Sequence, residues 1–173
     1  MRDSQRSKIY NAEQETGFQY SNERELLTTD ECLKFVRFTL NNVWVRMDFG
    51  ESFCRSIAKD IRIIETRRRT WAHAKGWCMS ILLPYRNWAW NQTTLLHELA
   101  HIVTFWLWRP DGLKTIGRNP IASHGPEWCW VYLRLLRHCG SPNEWALMQR
   151  LFQLHGVRFY RESPLRKAAQ KGE

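Results

Sequence analysis

Leu95-Leu96-His97-Glu98-Leu99-Ala100-His101-Ile102-Val103 decides how the rest of the chain is read, because this apolar run carries two imidazoles and one carboxylate. On an α-helix of about 3.6 residues per turn, His97 and His101 lie one turn apart on one face, so both rings can reach one metal ion. Glu98 is displaced by about 100° and can hold a water against that ion without being a ligand. Catalytic zinc normally has three protein ligands and one open position, so two histidines leave the site unfinished. The sequence offers a third ligand at His124, in Ser123-His124-Gly125-Pro126-Glu127-Trp128, with Glu127 as the alternative.

Working outward, Asn91 is a cap for a helix over 92–108, whose other positions (Leu95, Leu99, Ile102, Val103, Trp106) are apolar enough for burial on both sides. Arg109-Pro110-Asp111-Gly112 ends it. Pro126 suits a first helical position and Glu127 a helix N-terminus, which predicts a helix over 126–138 with Trp128, Val131, Tyr132, Leu135 and Leu136 on its apolar face. Ser141-Pro142-Asn143-Glu144 is a capping box for a helix over 142–154, and Thr28 with Glu31 is another for a helix over 29–42. The β-prone positions Ile61, Ile63, Thr66, Thr70 and Trp71, then Trp77 to Leu83 after Gly76, predict two antiparallel strands over 61–73 and 77–83, ended by Pro84. Between Asn41 and Asp60 the pattern is ambiguous, with Val43-Trp44-Val45 reading as a short strand or helix end and Asp48-Phe49-Gly50-Glu51 as a turn.

The pair of segments His-Glu-Leu-Ala-His (97–101) and His-Gly-Pro-Glu-Trp (124–128) resembles the two signature segments of the SprT-like zinc metallopeptidases, the group that includes Spartan-type proteases acting on DNA–protein crosslinks. It is also similar to small SprT-related metallohydrolases of phages and actinobacteria. The resemblance covers about residues 60–140. It implies an α+β, zincin-like minidomain, in which an active-site helix packs on a small antiparallel sheet with further helices. It also implies one zinc ion held by His97, His101 and His124, with Glu98 as the catalytic glutamate. The family match falls on His124, and Glu127 already has a reason to stand at a helix start. A metzincin would need Gly and His where this chain has Thr104 and Leu107.

The implied activity is zinc-dependent peptide hydrolysis with Glu98 as general base, on a protein or peptide substrate that includes DNA-associated proteins. Candidates to bind substrate or stabilise the oxyanion are His73, Tyr85, Arg118 and Ser80. Trp77 to Leu83 is the candidate edge that pairs with an extended substrate, with Met79 and Ser80 near the metal. Two other classes fit the residues: a non-catalytic, zinc-stabilised nucleic-acid-binding module, and a regulatory protease of narrow specificity. An intact Glu98 weighs against the first, because a structural zinc site needs no base.

The chain of 173 residues, 43% hydrophobic and with ten Trp, is the size of one domain with tails. The domain spans 28–156, between a loosely ordered arm over 1–27 and a basic tail over 157–173. A formal net charge of +9 favours DNA or an acidic protein as partner through a basic surface, although charge describes a field and not a site. In Arg67-Arg68-Arg69 at most two side chains share a strand face, which argues for a solvated turn. Five widely spaced cysteines form no Cys-x-x-Cys pair and suit reduced core thiols. The N-terminus has no apolar run of the signal-peptide kind, and no stretch is long enough for a membrane span. A cytoplasmic protein with no membrane partner is the expectation.

Overall fold

The computed structural model describes residues 3–17, 25–67, 69–108 and 122–165. In chain order these form α1 (Arg6–Thr16), α2 (Thr29–Asn41), α3 (Val43–Phe49), α4 (Glu51–Asp60), β1 (Arg62–Thr66), β2 (His73–Lys75), β3 (Ser80–Pro84), α5 (Gln92–Leu107), α6 (Pro126–Cys139) and α7 (Pro142–Leu154). Helices and a small mixed sheet make this an α+β fold.

The local signals act as their chemistry requires. Asn91 Oδ1 accepts from the Thr94 amide at 2.7 Å and starts α5. The capping boxes at Thr28/Glu31 and Ser141/Glu144 are both closed, satisfying amides that a helix start leaves unpaired. From Thr93 to Ala100 every residue of α5 is buried, since α6 covers one side of it while α2 and the sheet cover others. Among the described residues no helix is long and apolar enough to cross a membrane.

The sheet departs from the predicted pair of antiparallel strands. Its order is β1-β3-β2, with β1 parallel to β3 and β2 antiparallel to it. The stretch expected as one strand over 61–73 is broken after Thr66, because parallel neighbours need a connection of about a dozen residues, which 67–79 supplies. β3 is therefore the central strand, buried along its whole length, and is not the exposed edge expected of Trp77 to Leu83. The edge that meets α5 is β2. Behind it Gly76 packs so closely on α5 that a Cβ there would lie 2.6 Å from Phe105 Cγ, and Trp106 Nε1 donates to the Gly76 carbonyl at 2.9 Å.

Two further differences concern helices. Residues 43–60, ambiguous between a short strand, a helix end and a turn in the sequence, form α3 and α4, separated at Gly50, whose φ of 100° ends the first. Within the arm expected to be loosely ordered, residues 6–16 form α1, which packs on α7 and buries Ile9, Ala12 and Glu13. The basic tail expected over 157–173 is described only to residue 165, and Val157 is in the core.

The end of α6 is tied to α3 by charge. His138 lies with its Nε2 2.8 Å from Asp48 Oδ2, and Arg134 is 3.8 Å from the same oxygen. Burial raises the Asp48 pKa, but the bond to His138 and the charges of Arg134 and His138 outweigh it and leave the carboxyl below its ordinary value. A depressed folded pKa means stability that is present above the unfolded value and lost as pH falls through the folded one. Asp48→Asn is expected to lower stability by about 1 kcal/mol or less at neutral pH, the pair being partly solvated. In urea unfolding, that gap to wild type should close on acidification below about pH 4.

Candidate metal centre

α5 supplies the first two imidazoles, and the turn before α6 supplies the third. Gly125 is the N-cap of α6 and Pro126 its first residue, so the chain enters the helix directly after His124 and fixes that ring against α5. The ligating atoms of His97, His101 and His124 all lie within 4.8 Å of one another. His97 Nε2 is 3.3 Å from His101 Nε2 and 3.5 Å from His124 Nε2. Trp128, fully buried one turn into α6, backs all three rings at centroid distances of 4.7, 5.1 and 4.8 Å. These three histidines can hold a metal ion. Glu127, the alternative third ligand, instead accepts from the Tyr160 hydroxyl at 3.1 Å.

The far nitrogens of two rings are occupied. His97 Nδ1 is 2.5 Å from Glu13 Oε1, and His124 Nδ1 is 2.5 Å from Asp3 Oδ2. A ring that donates from Nδ1 keeps a lone pair on Nε2, so these contacts set the tautomer that turns the second nitrogen toward the cluster. Burial holds the His101 pKa well below its ordinary value, helped by the neighbouring imidazoles. Burial and His97 push His124 down to about 4 against the pull of Asp3. Burial also acts to lower His97, but Glu13 overcomes it and raises that ring. A metal at this centre would displace the proton that Glu13 favours.

Glu98 is buried beside the cluster and its pKa is pushed up to about 7 by that burial, with His97 and the Ala74 backbone N–H, which donates to the carboxylate, pulling the other way. Two buried carboxylates, Glu13 and Glu98, thus face three imidazoles. That donor set suits a cation, since buried anions need a partner charge. Thr94 and Thr104, on the same face of α5, have buried hydroxyls with no hydrogen-bond partner.

The cluster opens into a cleft of about 900 Å³ walled by α1, β2, α5 and the segment before α6. Of the substrate candidates, His73 is on this wall, exposed on β2, its pKa lowered by burial and by Arg69 and Lys75. Ser80 is not: it is buried in the central strand, donating to the Cys78 carbonyl at 3.1 Å. Tyr85 is 61% exposed beyond the end of β3, away from the cleft lining. Arg118 lies outside the described residues. Arg69, read as solvated, lies at the cleft with Trp71.

The sequence reading missed Asp3, Tyr10 and Glu13. The Tyr10 ring stacks on His97 at 6.0 Å and meets His124 edge-on at 5.4 Å. The available signal was the spacing Gln5, Ile9, Ala12, Glu13 on one helical face, followed by Gly17 as the cap. Comparisons of the chain with protein families, with curated proteins and with solved structures found no match.

Proposed function

We propose that the protein is a zinc-dependent metallopeptidase of the SprT-like kind, cleaving peptide bonds of proteins that include DNA-associated ones. The observation that carries this reading is the convergence of three imidazole nitrogens within 4.8 Å beside a buried, non-ligating glutamate at the floor of an open cleft. A purely structural zinc site is closed by four ligands and has no use for a base or a cleft. Zinc is the favoured ion because all three ligands are imidazoles in a buried site, although imidazole also suits copper, iron and nickel.

When bound, zinc would supply a Lewis acid for the scissile carbonyl and a water of lowered pKa. Glu98 takes a proton from the attacking water and delivers it to the leaving amine, a role suited to a carboxylate raised to about 7. An extended substrate segment lies along β2, where His73 and the outer edge of a three-residue strand face the cleft. His73 and Tyr10 are the side chains placed to donate to the substrate carbonyl. Arg6 and Arg69 at the cleft, within a chain of net charge +9, favour acidic or nucleic-acid-bound substrates.

Elemental analysis of purified wild type is expected to give one zinc per chain, and His124→Ala to lose most of it on dialysis. The same wild-type sample should cleave a basic protein, with a rate that rises when single-stranded DNA carries that protein and falls again with added salt. Zinc without cleavage of any protein would leave the nucleic-acid-binding module as the better reading. Cleavage indifferent to DNA and confined to one sequence would favour the narrow regulatory protease.

A further inference from the structure

We propose that α1 belongs to the metal centre itself, with Glu13 and Asp3 as positioning residues that hold His97 and His124 for the ion. The proposal rests on the metallopeptidase reading. Both carboxylates come from residues 3–13, far in sequence from the histidines, and each meets an Nδ1 at 2.5 Å.

Glu13 is fully buried. Its Oε1 meets His97, and the same carboxylate lies against the equally buried phenol of Tyr132. A helix that needed only to dock on α7 would place an apolar residue at this position, because burying a carboxylate costs several kcal/mol of desolvation. Its retention makes sense when a divalent charge stands on the far side of the imidazole, in a carboxylate–histidine–metal relay.

The start of α1 is fastened to the same place. The Gln5 side-chain amide donates to the His124 carbonyl at 3.0 Å and to the Arg158 carbonyl at 3.2 Å, and its oxygen accepts from the Arg158 amide at 2.5 Å. One residue therefore ties the helix both to the segment bearing the third ligand and to the chain after α7. Tyr10, between Asp3 and Glu13, lays its ring on His97. Asp3 has a buried oxygen without a hydrogen-bond partner, so its contact with the His124 ring has no rival at that carboxylate.

The test measures zinc affinity by competition with a chromophoric chelator, and the visible spectrum of the cobalt(II)-substituted protein. Glu13→Gln and Asp3→Asn are each expected to weaken zinc binding by about 10–100-fold and to alter the cobalt bands. Glu15→Gln, an exposed change on the same helix that removes only the 2.8 Å contact to His155, should stay within about twofold of wild type. Folded variants that keep wild-type zinc affinity and cobalt bands, losing only thermal stability, would overturn the proposal and leave α1 a packing element. Should Glu13→Gln not fold, Asp3→Asn decides, since that side chain is 21% exposed and lies before α1. A wild type that binds no metal sinks the metallopeptidase reading, which is a different result.

Discussion

Glu98→Gln is expected to leave zinc bound, to lower the rate of peptide hydrolysis by about 10²–10⁴-fold, and to leave the fold intact or firmer. The three effects have separate causes. Zinc stays because the proposed ligands are the three imidazoles, whose nitrogens lie within 4.8 Å of one another without the carboxylate. The rate falls because an amide cannot take the water proton, while its oxygen can still accept from the Ala74 N–H. Stability holds because Glu98 is 6% exposed and its charged form is opposed by burial, so a neutral group of the same shape sits there at lower desolvation cost. The acid limb of the pH–rate profile should vanish with the base. Loss of zinc in this variant would make Glu98 a ligand, and undiminished hydrolysis would remove it from the chemistry altogether.

The parts of this centre that sequence spacing exposes are those in which cause and effect lie within one or two helical turns. His97, Glu98 and His101 lie within about one turn, the caps at Asn91, Thr28 and Ser141 act over three residues, and α5, α2 and α7 begin where those caps place them. The sheet was less legible because its pairing is not local. β-propensity along 61–73 shows neither the break after Thr66 nor that β1 runs parallel to β3, so it points to an edge over Trp77 to Leu83 where the structure has one at His73–Lys75. In α3 and α4 the apolar pairs Val45 with Phe49 and Cys54 with Ile57 are too short a pattern, split by Gly50, to declare two helices.

α1 was hidden for a different reason. Two of its buried contacts are made by polar side chains, Gln5 and Glu13, whose partners stand 119 and 84 residues away. Binary patterning treats such residues as surface. Their burial makes sense only once the histidines are assembled, so the helix becomes legible from the site outward and not from its own composition.

Trp128→Ala is expected to cost about 3–5 kcal/mol of stability and to loosen metal binding together with it. The indole is fully buried and backs the rings of His97, His101 and His124 while stacking on Tyr132 at 4.8 Å. Removing it opens a cavity behind all three imidazoles at once, so their spacing loses its common support, which metal sites tolerate poorly. Trp128→Phe should cost less than half as much. It keeps an aromatic face against the histidines, and it deletes an indole N–H that is buried without a hydrogen-bond partner, which relieves a desolvation penalty of about 1–3 kcal/mol. Urea unfolding of the three proteins, each with and without zinc, separates the two contributions. The packing loss appears in both conditions, whereas a loosened centre shows as a smaller stabilisation by added zinc. Equal zinc stabilisation in wild type and Trp128→Ala would mean that the carboxylates and α5 alone hold the rings in place, and that Trp128 serves the core without serving the site.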